Sequence, residues 1–173
     1  QYHQWTTARA IPRAVSDKLV SGLHAHLTDT QCFYLRKPGA GSAGDSRRPE
    51  ALAAEIQLLS AHPILGQPDF FELQFRIKNT GEANWISQSD ANGKVNLGCQ
   101  LLRSDGSVEV VDFQRFALSD QPVLPGAVVH LAVRLHIQAQ GLNIYLFDLV
   151  AEQTAWFAQM GRCKPVVWRM GHT

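Results

Sequence analysis

Six residues, Gly39-Ala-Gly41-Ser-Ala-Gly44, spell the GxGxxG pattern that brings a pyrophosphate to the N-terminus of a helix. That chemistry needs a strand before the glycines and a helix after them. A strand-like run, Gln31–Lys37, does precede. Asp45-Ser-Arg-Arg-Pro49 follows, then another strand-like run, and no acidic residue ends a second parallel strand. The glycines therefore read as linker, and no cofactor is expected. His24 and His26 stand two apart, on different faces of a helix, so they are poorly placed to share a metal. His62, His130 and His136 have no Cys or carboxylate at ligand spacing, so no metal is expected either. The chain contains no GxSxG, HExxH or P-loop pattern. A hydrolase built on two carboxylates such as Asp112 and Glu152 is conceivable, but sequence alone cannot set them across a cleft. The expectation is that the chain is not an enzyme.

Aromatic and planar polar residues offer a different chemistry, because flat rings stack on the C–H faces of sugars. Trp156 and Phe157 are adjacent, so on a strand one points inward and the other outward. Trp156 carries the larger ring and is the stacking candidate. Trp85 follows Gly81-Glu-Ala-Asn; its ring either meets a ligand at that loop or plugs one end of the fold. Asp112, Arg115, Asp148 and Glu152 are charges inside apolar strands. They serve as structural pairs, Arg115 with Asp148 or Glu152, or they hydrogen-bond hydroxyl groups. Asn96 and Gln100 complete the candidate carbohydrate-binding set.

These side chains need strands to position them. Phe71, Leu73, Phe75 and Ile77 alternate with Glu72, Gln74, Arg76 and Lys78, the pattern of a half-buried strand. Alternation also marks 53–60, 94–103, 108–117 and 128–137, and 143–152 is apolar on nearly both faces. Asp105-Gly106 supplies hairpin chemistry, Pro122–Gly126 a turn, and Val166–Met170 a closing strand. The prediction is a mainly β fold, an antiparallel β-sandwich of seven or eight strands, with an N-terminal helical extension. Val15, Leu19, Leu23 and Leu27 form the stripe of that helix. Three parts follow: residues 1–37 as helix and strand, 38–50 as linker, and 51–173 as the sandwich.

In immunoglobulin order, 53–60, 70–79 and 128–137 share one sheet and 94–103, 108–117 and 143–152 the other. The outer face of the first carries Gln74, Arg76, Lys78, His130, Arg134 and His136 and reads as solvated. That of the second carries Asn96, Gly98, Gln100, Leu102, Ile144, Leu146, Asp148 and Val150, too apolar for open solvent. The helix, a ligand or a second copy must cover it. Leu102, Ile144 and Leu146 are thus the candidate interface of a homodimer.

Composition narrows the partners. With 16 basic and 15 acidic residues in 173, the chain lacks the basic footprint of a nucleic-acid binder. No apolar run reaches the roughly 20 residues of a membrane span, so no membrane insertion is expected. No signal-peptide pattern opens the chain, and Gln1 in place of a methionine points to a fragment or processed product. Three separated cysteines, Cys32, Cys99 and Cys163, argue against a disulfide framework and for a reducing, cytoplasmic location.

An ordered series of segments carries a resemblance. It comprises Asn79-Thr-Gly-Glu-Ala-Asn-Trp85, Val95-Asn-Leu-Gly-Cys-Gln-Leu-Leu102, Asp105-Gly106 and Arg115-Phe-Ala-Leu118. Val123-Leu-Pro-Gly126, Tyr145–Glu152 and Ala155-Trp-Phe157 complete it. Together they resemble the immunoglobulin-like accessory domains appended to methyltransferases and glycosyltransferases of bacterial surface-polysaccharide clusters. The architecture is similar to the carbohydrate-binding C-terminal domain of O-antigen ABC transporters, and the NTG…W segment to the immunoglobulin-like domain of an autophagy cargo receptor. The resemblance implies a non-catalytic module that binds a surface polysaccharide in its biosynthesis or export. A protein-interaction or dimerisation module is the alternative. Residues 1–37 also look like the closing elements of a class I methyltransferase sheet, so the chain could be the tail of a SAM-dependent methyltransferase.

Overall fold

Alternating apolar residues predict strands, and the computed structural model contains them; it describes residues 44–87, 92–138 and 144–170. The chain divides into two units, 1–40 and 41–173, and all described residues belong to the second. The expected N-terminal helix and strand lie outside the described residues. So do His24, His26, Cys32 and most of the glycine run.

Eight strands form among the described residues: β1 (Ala54–Ile64), β2 (Gln67–Asn79), β3 (Val95–Leu102), β4 (Val108–Ala117), β5 (Val128–His136), β6 (Ile144–Ala151), β7 (Ala155–Trp156) and β8 (Val166–Arg169). One antiparallel sheet runs β1-β2-β5. The other runs β4-β3-β6-β7, with β8 also paired to β6. The expected division of strands between two sheets is therefore observed.

The inward residues of both sheets make the core of this β-sandwich. Leu73, Phe75 and Ile77 of β2 and Leu135 of β5 face Leu97 and Cys99 of β3 and Phe147 and Leu149 of β6, all fully buried. Phe75 and Phe147 meet across the two sheets with ring centroids 4.9 Å apart. Such a pair is worth about 0.5–1.5 kcal/mol beyond the area it removes from water. Cys99 behaves as a small hydrophobe here, and burial pushes its thiol up to about 12. Cys99 and Cys163 are both free thiols.

Two expectations need correction. The strand predicted over 53–60 does not stop at Ser60: β1 continues through Pro63 to Ile64 and turns at Leu65-Gly66 into β2. Pro63 is tolerated because β1 is an edge strand and needs no donor on its outer side. Gly66 takes φ +77°, which completes the turn. The second concerns the linker. Its last part, Gly44–Glu50, is built into the sandwich: Ser46 is fully buried and its amide donates to Asn84 O at 2.9 Å. The Ser46 hydroxyl donates to Gly93 O and accepts from Ile86 N, satisfying two backbone groups no strand reaches.

A buried amide organises the loop end of the fold. Asn79 closes β2 at zero exposure. Its Nδ2 donates to Ala83 O at 2.9 Å and Val123 O at 3.0 Å, and its Oδ1 accepts from Gly81 N at 3.0 Å. Gly81 sits so close to the backbone before β1 that a Cβ would fall 2.4 Å from Ala51 O. Replacing Asn79 by alanine leaves Ala83 O without a partner among the described residues and takes one bond each from Val123 O, which keeps Trp85 N, and Gly81 N, which keeps Ala53 O. Asn79→Ala is expected to cost about 2–4 kcal/mol in urea unfolding. A loss under about 1 kcal/mol would show that the loop holds its shape without the amide.

Candidate functional site

The outer face of the five-stranded sheet collects the predicted polar residues around one glycine. Gly98 of β3 pairs with Arg115 of β4 on one side and Asp148 of β6 on the other. Having no side chain, Gly98 lets the Trp156 indole lie across the strand. A Cβ at this position would come within 2.6 Å of Trp156 Cζ3 and Cη2 and 2.8 Å of Arg115 Nη1.

Trp156 reaches this face because its neighbour goes the other way. Phe157 is fully buried and packs edge to face with Trp85, centroid to centroid 5.5 Å at 83°. Strand alternation then turns Trp156, paired with Val150, outward, where it stays half-buried. The Arg115 guanidinium stacks on the indole, its Cζ 4.5 Å from the ring centroid.

Two carboxylates share that guanidinium. Arg115 Nε donates to Glu152 Oε1 at 3.2 Å, and Asn96 Nδ2 donates to the same oxygen at 2.8 Å. Arg115 Nη1 lies 2.8 Å from Asp112 Oδ1, an ionic contact off the hydrogen-bond direction. Residues three apart on a regular strand face opposite ways. Between the pairs Cys99–Gln114 and Leu101–Val110, however, β4 carries extra residues, and this bulge brings Asp112 round to Arg115. The backbone of Glu152 is held by its amide donating to Lys94 O at 2.9 Å and its carbonyl accepting from Gly93 N at 2.8 Å. With Arg115 25% and Glu152 32% exposed, their ion pair is worth about 1 kcal/mol at most. The stack on Trp156 adds a comparable amount, about 0.5–1 kcal/mol.

Arg115 thus gathers Trp156, Asp112 and Glu152, and Asn96 joins the cluster through Glu152. Gln100 lies farther along β3 opposite Leu146, and no side-chain hydrogen bond joins it to the cluster. Trp85 has to be corrected: at 1% exposure its ring cannot stack on a ligand. Its amide and carbonyl each bond Val123 at 3.0 Å, which fixes the indole inside the sandwich. The interface residues are corrected too. Leu102 and Ile144 pair across β3 and β6 and are each only 7% exposed, so they leave little area for a second copy. Leu146 is half-buried.

Sequence reading missed the role of Gly98; the one available signal was a glycine inside an alternating strand, which marks a close approach. Arg115 chooses Glu152 over Asp148. Asp148 turns instead to the 3-10 turn Phe157–Met160, its Oδ2 accepting from Ala158 N at 2.9 Å and its Oδ1 from Leu149 N at 2.8 Å. Burial pushes its carboxyl above the ordinary range, against the pull of these two amides and the Cys163 thiol.

On the opposite sheet, Arg76 pairs with Glu55 at 3.5 Å and Arg134 stacks on Phe70 at 4.2 Å. A shallow groove of about 350 Å³ runs between Ala54–Ile56 and Lys164–Val166. It contains no aromatic ring and none of the cluster residues. Among the described residues no three His, Cys, Asp or Glu side chains gather at metal-binding range, and no helix is long and apolar enough to cross a membrane. No family model matches the chain, and no curated protein is significantly similar to it.

Two measurements probe this geometry. Gly98→Ala is expected to displace the indole and cost about 1–3 kcal/mol, read by unfolding and by a shifted tryptophan emission. Unchanged emission and stability would mean that the close approach carries no weight. For Asp148, a carboxyl-carbon NMR titration is expected to give a midpoint above the ordinary 3.8. The stability this group contributes is then full below 3.8 and lost as pH rises through the higher folded midpoint. A midpoint at or below 3.8 would contradict it.

Proposed function

We propose that residues 44–170 form an immunoglobulin-like, non-catalytic carbohydrate-binding module whose site is the Trp156, Arg115, Asp112, Glu152 and Asn96 cluster. The strand order, β1-β2-β5 opposite β4-β3-β6 with β7 and β8 on the far edge, supports the immunoglobulin-like reading. The observation that carries the functional reading is the half-buried indole ringed by planar polar groups at the outer face of the five-stranded sheet. A ring offers its face to sugar C–H groups, and carboxylates and amides orient the hydroxyls.

The non-catalytic part of the reading rests on the same contacts. Glycosidases need one carboxyl free to give a proton and another free to attack or activate water. Asp112 and Glu152 meet the same guanidinium, an arrangement that does not set one carboxyl apart from the other for the two roles. Within a polysaccharide-biosynthesis or export protein, such a module would hold the growing chain near a partner active site in the cytoplasm. Burial of Leu102 and Ile144 speaks against the dimerisation alternative through that patch.

Titration of the chain with surface polysaccharide from its source organism, followed by calorimetry and tryptophan fluorescence, tests the reading. Saturable binding is expected, weakened about tenfold or more by Trp156→Ala with folding intact. Absence of heat and of fluorescence change at millimolar sugar equivalents would overturn it.

A further inference from the structure

On the outer face of the three-stranded sheet, Arg134 of β5 is exposed and held in place, yet it has no acidic partner. No carboxylate among the described residues comes within ion-pair range of it, whereas Arg76 in the same sheet pairs with Glu55. Two uncharged contacts fix the Arg134 guanidinium: its Cζ lies 4.2 Å from the centre of the Phe70 ring, and its Nη2 donates to Gln67 Oε1. Its Nε and Nη1 make no hydrogen bond among the described residues. Glu72 stands directly opposite Arg134 on β2, but its Oε1 accepts from Gln74 Nε2 at 3.4 Å instead.

A second donor adjoins the first. His136 is the next outward residue of β5, and its ring lies 4.8 Å from that of Phe70. Gln114 bonds both the amide and the carbonyl of His136, which anchors its backbone. An imidazole carries at least one N–H in either protonation state.

The rest of the face bears on the kind of ligand. Gln57, Arg76 and His130 form one row across the sheet, and Ser60, Gln74 and Ala132 the next. The exposed apolar residues Leu59 and Val128 belong to the two edge strands. A protein interface has an apolar centre within a polar rim, and this face has the reverse. A polymer of hydroxyls and carboxylates suits planar hydrogen-bonding groups around a fixed cation. The outward charges agree in sign: Arg76, Lys78 and Arg134 are three against the two of Glu55 and Glu72.

We propose that Arg134 and His136 form a second ligand site, on the sheet opposite the Trp156 cluster, which takes the carboxylate of an acidic glycan of the uronic-acid type. The inference rests on the carbohydrate reading above for the kind of polymer alone, since its residues lie on the other sheet. A guanidinium presents its N–H groups in a fork that matches a carboxylate. Phe70 and Gln67 hold that fork before the ligand arrives, so less side-chain freedom is lost on binding.

Calorimetry on the whole chain at low salt compares three probes of equal length: an oligogalacturonate, its fully methyl-esterified form and an oligoglutamate. The oligogalacturonate is expected to bind about tenfold tighter than the ester, and tighter than the peptide. Added salt should narrow the gap. Arg134→Gln is expected to abolish the preference for acid over ester. Arg134→Lys should keep part of it, because lysine retains the charge and loses the fork. Glu72→Gln removes a like charge opposite the site and should strengthen oligogalacturonate binding about two- to threefold. Both positions are exposed, and thermal unfolding checks that each variant keeps the fold. No binding of the acid, equal binding of acid and ester, a preference that survives Arg134→Gln, or tighter binding of the oligoglutamate overturns this inference and leaves the Trp156 site standing. Failure of the source polysaccharide as well overturns both.

Discussion

The buried amide of Asn79 is the constraint on which the rest of the loop end depends. It stands where β2 leaves its sheet and is hydrogen-bonded to three backbone groups that belong to no strand. The Val123 carbonyl it holds belongs to the residue whose backbone pairs with Trp85, so the amide sets the depth of that indole in the core. Trp85 then packs edge to face with Phe157, and Phe157 decides which way Trp156 must point. A side chain with no contact to the candidate site thus fixes the orientation of its central ring. Each link is a packing or hydrogen-bond contact in a dry interior, where an unmade bond costs more than a made one gains.

Packing outweighs charge at the site itself. The ion pairs of Arg115 are partly wet and individually small, and their attraction is shared between two carboxylates. What fixes the geometry is steric: Gly98 leaves room for a ring, the bulge in β4 turns Asp112, and backbone bonds on both sides of Glu152 anchor its carboxylate. The charged groups then settle into positions that the backbone has prepared. Such preorganisation is what a weak polar ligand needs, because little side-chain entropy remains to be lost on binding.

The open edge of the sandwich shows the same economy. β4 and β5 end different sheets and cannot pair by backbone alone. Gln114 bridges them, its Nε2 donating to His136 O at 2.9 Å and its Oε1 accepting from His136 N at 3.4 Å. One side chain occupies backbone groups that would otherwise invite another strand. Pro63 on β1 works to the same end at the other edge of that sheet.

Much of the framework was legible in the sequence, because side chains alternate in and out with a period of two whatever the sheet's partner. The runs at Phe71–Ile77, Val95–Leu101 and Val129–Leu135 therefore declared their strands and inward faces, while the sheet each belongs to followed only from supposing immunoglobulin order. The pairing of Trp156 with Phe157 likewise announced that one ring must face out. Other features depend on where separate segments meet, and no local pattern encodes that. Nothing in Gly81-Glu-Ala-Asn-Trp85 says that Trp85 will be covered by Phe157, 72 residues later. Nothing in Arg115 chooses between Glu152 and Asp148, since the choice follows from Asp148 being drawn to the amide of Ala158. The glycine-poor stretch Gly44–Glu50 looked like linker because its order comes from distant backbone groups at Asn84, Ile86 and Gly93. Composition and periodicity determined the strands and their faces; long-range hydrogen bonds and close packing, which only the folded chain assembles, decided which of the polar residues became a site.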